Sequence, residues 1–267
     1  MSFGIKATNA SDGALQAQVE KNLRKLANGE RINSAGDDAA SFAIAVSMEA
    51  KERSYNVAGR NAQDASARLQ VGDGALAGQQ ENLARLRELA VASANGSLSP
   101  ADRQAIQTEA NGVVSEIDRI GKESSFNGKA LLANNSTDEY QVGTSGDAKD
   151  RIKVTSTAST AQSLGVAGID LSSPAAASAA LDTIDVAVGK VSQSRVNIGA
   201  AQNRFSSALA SSQVARESAA NARAQLQDTD VAAATSELAS SQIRARAQIS
   251  MQAQFNAQKG SVLKLLG

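Results

Sequence analysis

Residues 181–209 read LDTIDVAVGKVSQSRVNIGAAQNRFSSAL. Ile184, Val191, Ile198 and Phe205 recur every seven residues, and Leu181, Val188 and Leu209 occupy a companion position that Arg195 and Gln202 interrupt. A seven-residue apolar repeat is the pattern of helices packed side by side along a seam. A helix from about Pro174 to Ala224 would run ~75 Å at 1.5 Å per residue, and a rod of that length cannot bury its stripe on itself. We read Ile184, Val191, Ile198 and Phe205 as an assembly seam. The partner nearest to hand is the N-terminal helical half, folded back antiparallel through residues 134–173.

That half carries matching signals. Leu69, Leu76 and Leu83 repeat at seven, and Leu86 and Ala90 extend the stripe to Ala94-Asn95-Gly96, where Asn or Gly suits a left-handed C-cap. Ser99-Pro100-Ala101-Asp102 then reads as a helix start, with Ser as N-cap, Pro in the first turn and an acid near the positive end of the dipole. Ile106, Val113, Ile117 and Ile120 form the next stripe, which ends at Phe126-Asn127-Gly128. The second proline, Pro174, repeats the Ser-Pro start. Residues 134–173 are rich in Asn, Ser, Thr, Gly and Asp, and there EYQVG and RIKVT flank the turn-forming TSGDAKD, a small hairpin.

The two ends are helical in pattern but short of large core residues. In the first segment Leu15, Val19, Leu23 and Leu26 mark one face. In the last 40 residues Leu238, Ala245 and Ile249 do so, no acid follows Glu237 while Arg244, Arg246, Lys259 and Lys264 do, and the chain closes with VLKLLG. Helices of this kind are marginal alone in water, so both termini are expected to order only within an assembly.

Composition narrows the function. The 267 residues include no histidine, cysteine or tryptophan. That removes the usual zinc ligands, a thiol nucleophile and a Ser-His-Asp triad and leaves acid/base work to Asp, Glu, Lys or Tyr, which lack an ordinary pKa near neutrality. This weakens the case for an enzyme without abolishing it, and the expectation is no enzyme, no cofactor and no metal. Twenty-seven basic residues balance 27 acidic ones, which gives no electrostatic case for nucleic acid. No apolar run reaches the ~20 residues of a membrane span, and MSFGIKATNASDG lacks the features of a cleaved signal peptide. Apolar residues make up 42% of the chain but aromatics only 3%, a composition that suits closely packed helices better than a thick globular core.

One stretch invites a chemical reading: NSAGDDAASFAIA, residues 33–45. Asp37 and Asp38 could pair on a metal, but the next acid downstream is Glu49. As the start of a helix they have a mechanism, because carboxylates accept the orphan N–H groups there. Asp37 and Asp38, beside Gly36, are therefore expected to start a helix. Arg85, Arg87 and Glu88 in ARLREL read most simply as a solvated helix face, and the serines and threonines of 134–173 as exposed loop.

Several of these stretches together resemble bacterial flagellins. NLRKLANGERINSAGDDAASFAIA at 22–45, ARLRELAVASANG at 84–96, IQTEANGVVSEIDRIG at 106–121 and SSFNGKALL at 124–132 are similar to the family's N-terminal half. The stretch ARAQLQDTDVAAATSELASSQIRARAQISMQAQFNAQKGSVLKLLG at 222–267 is similar to its C-terminal half. The resemblance implies a mainly α fold: long antiparallel coiled-coil-like helices from both chain halves forming a rod, with a small β-hairpin region in the middle and no substantial outer domains. It implies an inner domain from 1–40 plus 228–267, joined at Gly36, Asp37 and Asp38 to a rod of 41–227. The rod would hold helices 41–95, 100–127 and 174–226 and the hairpin region 134–173.

The function implied is a subunit that polymerises with itself into the flagellar filament for swimming, secreted to the cell exterior. The alternative is the hook–filament junction protein of the same superfamily. The implied partners are the flagellar export apparatus and an export chaperone, through the C-terminal helix, and the filament cap and hook-junction proteins. An animal Toll-like receptor is a further implied partner, through Arg85, Leu89 and Glu109, although Ala92 stands where recognised flagellins commonly have glutamine. Neither nucleic acid nor membrane is among the implied partners.

Overall fold

The computed structural model describes residues 2–266, with side chains described for 13–258, 260 and 261. The helices are α1 (Ser2–Asn28), α2 (Ala39–Ser93), α3 (Pro100–Glu123), α4 (Ala161–Leu164), α5 (Pro174–Gln227) and α6 (Val231–Leu266). The strands are β1 (Ser125–Phe126), β2 (Lys129–Ala130), β3 (Ser136–Gln141) and β4 (Arg151–Ser156). The chain forms two compact units, one of residues 53–216 and the other of 1–52 with 217–267. The closing VLKLLG and the charges of Lys259 and Lys264 lie outside the described side chains.

In the 53–216 unit, α2 buries every residue of one seam: Ala58, Ala62, Ala65, Leu69, Gly72, Leu76, Gln79, Leu83, Leu86, Ala90 and Ser93. The spacing alternates four and three throughout, the rhythm that keeps a straight contact line along two coiled helices. Its partner is α5, where Ile184, Val191 and Phe205 are buried and Ile198 is half-buried. Small residues on one helix receive large ones from the other. Gly72 lies 3.6 Å, from the position its Cβ would take, to the Ile198 methyl, and Gly59 lies 3.5 Å, measured the same way, to Leu209. Because Gly59 meets the later residue of α5 and Gly72 the earlier one, the two helices run antiparallel. Two polar groups cross beside this seam: Arg195 donates to Asp73 from Nε at 2.9 Å and to the Gln80 oxygen at 2.8 Å. This is why the companion stripe carries an arginine.

α3 and the segments after it close the core. Leu76, Leu83, Leu86, Ile117, Leu171 and Ile184 are fully buried in one cluster, each worth about 1.5–3 kcal/mol of transfer free energy. A buried amide ties three segments together: Gln79 Nε2 donates to the carbonyls of Ile117 at 3.0 Å and Ser159 at 2.6 Å, and its oxygen accepts from the Ser159 hydroxyl. Gly121 permits this approach, because a Cβ there would stand 2.5 Å from the Ser159 oxygen. The hairpin pairs β3 with β4 antiparallel from Ser136↔Ser156 to Gln141↔Arg151. It turns Ile152 and Val154 inward with Phe205, whose ring meets Tyr140 edge-on at 5.4 Å.

Three local expectations are corrected. The third helix ends at Glu123, not 127. Asn127 (φ 50°) and Gly128 (φ 75°) instead form the two-residue turn between β1 and β2, since Asn-Gly is as good a hairpin turn as a helix stop. The end of α2 has no left-handed cap: neither Asn95 nor Gly96 has positive φ. The buried Arg103 serves those carbonyls, donating to Ser93, Asn95 and Leu98 at 3.0, 2.7 and 2.8 Å. Within 134–173 a further turn of helix, α4, forms on a Thr160/Ser163 capping box.

Candidate assembly surface

In the other unit α1 packs along α6. The α6 seam is Ala234, Leu238, Ser241, Ala245, Gln248 and Gln252, buried or half-buried positions again spaced four and three. It has the coiled-coil rhythm without the coiled-coil residues. The seam of α1 is Leu15, Val19, Asn22 and Leu26. Here the sequence reading is corrected: Leu23 is 47% exposed and Asn22 is buried in its place. The rule that apolar residues face inward chose the wrong neighbour, because the four-three alternation from Leu15 arrives at 22.

Much of the apolar surface of α6 points elsewhere. Ile243 (68% exposed), Ile249, Met251 and Phe255 are all well exposed. A helix that is apolar beyond the side its partner covers is built for burial by something further. Among the described residues no helix is long and apolar enough to cross a membrane.

The two interruptions in the long helices meet each other. Between α1 and α2, Glu30 forms an antiparallel bridge with Asp228, which lies between α5 and α6. The Arg31 amide donates to the Gln227 carbonyl, the Thr229 amide to that of Gly29, and the Arg31 side chain to that of Leu226. Gly29 has φ 69° and needs to be glycine.

The acids on either side are the structural kind. Asp38 Oδ1 accepts from the Ala40 and Ser41 amides at 3.1 Å and caps α2; Asp230 does the same for α6 through Ala232 and Ala233. Asp37 is not a cap. It takes a 2.7 Å ion pair from Lys21 on α1 and accepts from the Asn33 and Ser34 amides. The Lys21 ammonium, with the Asn33 amide and the Ser34 hydroxyl, holds its carboxyl down at about 2. Asp38 is lowered by its bonds from Ser41. Gly36 has neither positive φ nor a close neighbour: a Cβ there would find only the Ser34 hydroxyl at 3.7 Å. Among the described residues no three His, Cys, Asp or Glu side chains converge as metal ligands.

The other sequence-singled residues separate. Arg85 donates to Glu109 at 2.6 Å and to Glu88 at 2.9 Å on an exposed ridge of α2 and α3. Leu89 does not join them; it is 6% exposed and belongs to the core. Ile184, Val191 and Phe205 are equally spent inside the chain, so the heptad seam of α5 is an intramolecular contact, not a surface for a neighbour.

Comparison with known proteins gives the following. Residues 5–137 match the family described as the bacterial flagellin N-terminal helical region, and residues 181–266 match the bacterial flagellin C-terminal helical region. The Flagellar filament 30.7 kDa core protein of Treponema maltophilum is 36% identical over 265 residues, covering 93% of this chain and 92% of that protein. The Flagellin of Halalkalibacterium halodurans is 35% identical over 250 residues, covering 93% and 92%. A solved structure assigned as a flagellar hook-associated protein from Vibrio parahaemolyticus has TM-score 0.60 at 17% identity, covering 72% of this chain and all of that one, a likeness of fold.

Proposed function

The chain belongs to the bacterial flagellin family, and from that premise we propose how it assembles. It is a structural subunit of the flagellar filament, which serves motility, and its partner is itself. Subunits join through the terminal helices 1–40 and 228–267, the inner domain, while 41–227 forms the rod. The observation that carries this reading is the set of exposed apolar residues spread around α6, Ile243, Ile249 and Met251. Burying such side chains is worth about 1.5–3 kcal/mol each, and the terminal helices of further copies would cover them. A patch on one copy that fits a different patch on the next makes a contact that does not close, so the lattice extends as a helix.

The same C-terminal helix is the expected contact for the export apparatus and an export chaperone, since apolar side chains destined for the filament need cover beforehand. The cap and hook-junction proteins would meet the same surface at the filament ends. For an animal Toll-like receptor, the ridge of Arg85 and Glu109 offers charge at the surface, and Leu89 is withdrawn from it. The role is structural and not catalytic. Relatives named filament core protein and flagellin favour the filament subunit over the hook–filament junction.

The test is seeded polymerisation. The chain is dissociated, neutralised and offered short filament seeds, beside a version ending at residue 229, and both are imaged by electron microscopy. Long tubes are expected from the full chain alone. A full chain that adds only a short cap, or nothing, would overturn the filament reading.

A further inference from the structure

The α1–α6 seam contains an amide that its own chain leaves dry. Asn22 is 1% exposed, and neither Oδ1 nor Nδ2 has a hydrogen-bond partner. The seam across from it is Ala234, Leu238, Ser241 and Ala245; its one buried hydroxyl, that of Ser241, donates to the Leu238 carbonyl of its own helix. A carboxamide brings two donors and two acceptor lone pairs. Burying them unmet weakens the pairing by roughly five- to a hundredfold in equilibrium constant. An alanine or leucine at this position would avoid that loss, and Leu15 and Leu26 on the same seam show that it accepts leucine. A buried Asn at a seam position is the device by which paired helices select register and partner number at a cost in stability.

The occupant that would satisfy it is argued from α6. That helix is apolar on sides that α1 does not cover, at Ile243, Ile249 and Met251, so the two-helix packing is not its final one. We propose that Asn22 is a partner-selecting residue. Its amide is unsatisfied when α1 packs only on α6, and it is hydrogen-bonded when the terminal helices repack with those of a second copy of this chain. It thereby loosens the pair in the free subunit and favours the assembled state. This rests on the filament reading above.

The experiment uses the full-length chain with Asn22→Ala, Asn22→Leu and, as a control on an exposed neighbour, Leu23→Ala. Hydrogen exchange is followed by mass spectrometry in the free subunit over 15–26 and 234–252, and the critical concentration is measured in seeded polymerisation. Both Asn22 variants should exchange at least ~5-fold more slowly than wild type while their critical concentration rises; the control should move neither. Unchanged or faster exchange in both variants overturns the proposal, since the amide was then already satisfied. Slower exchange with unchanged or easier polymerisation also overturns it, since no partner in the filament then needs the amide. Wild type that polymerises beside unaffected variants sinks this inference alone. Wild type that fails on seeds sinks the filament reading and this inference with it.

Discussion

Among the described residues two fully buried carboxamides lie on helical seams, and they meet opposite fates. Gln79 on α2 accepts from one hydroxyl and donates to two carbonyls; Asn22 on α1 has no partner at all. Their surroundings differ in the same sense. Gln79 sits among Leu76, Leu83, Leu86 and Ile117, whereas the helix facing Asn22 offers one large apolar residue, Leu238, among alanine, serine and glutamine. Both pairs have the four-three rhythm of a coiled coil, so rhythm does not set their strength. What separates them is whether the seam is filled with large side chains and whether its polar member is satisfied. The 53–216 unit closes its core within the chain; on the proposed filament reading, the unit made of the chain ends is completed by assembly.

Four further changes would break or sharpen that contrast. The largest effect should come from Leu83→Ala, which opens a cavity in the filled seam. We expect a loss of about 2–5 kcal/mol in denaturant unfolding of the 53–216 unit; a loss below that range would mean this seam is no better packed than the terminal one. Gln79→Leu should cost about 1–3 kcal/mol, because it strands the carbonyls of Ile117 and Ser159 and the Ser159 hydroxyl. The sign is the point: the same kind of change that should tighten the terminal pair at Asn22 should loosen the core at Gln79, and two changes of equal sign would dissolve the comparison.

A smaller effect is expected at the joint. The Asp37 carboxyl is depressed to about 2 from its ordinary 3.8. A depressed acid stabilises the fold fully above its unfolded value and loses that contribution as pH falls through the folded value. Asp37→Asn should therefore melt lower than wild type near pH 7, and the two melting temperatures should converge between about pH 4 and pH 2. Curves that stay apart at pH 2 would assign the effect to something other than this charge. The smallest belongs to Arg85→Ala. Its partners Glu88 and Glu109 are exposed, and exposed pairs contribute little, so thermal unfolding should be unmoved. A clear drop would show that the ridge is part of the core packing.

The helices were legible because periodicity is a local signal that survives without knowing the partner. Ile184 and Leu83 announce their seams at seven-residue intervals wherever the partner lies. Asn127-Gly128 was not legible, since the same dipeptide ends helices and turns hairpins, and the choice falls to the strands it joins. Arg103 carries no mark in the sequence; an arginine ten residues past a helix end is ordinary until the chain bends it back onto three carbonyls. Asp37 and Asp38 were readable as structural acids, but their division of labour was not, because Lys21 reaches Asp37 only through the turn.

The order of residues was thus sufficient for a chain of long helices with a small hairpin between them, for ends poor in core-forming side chains, and for membership in a family of filament proteins. The first two follow from spacing and composition, which are carried by each segment alone; the family follows from the likeness of whole stretches, 22–45, 84–96 and 222–267 among them, to bacterial flagellins. Packing decided that the α5 seam is spent within the chain, that Leu89 turns inward from Arg85 and Glu109, and that Asn22 rather than Leu23 is buried. Burial belongs to a pair of surfaces, and a side chain's cost or gain is set by the atoms that meet it from the other helix.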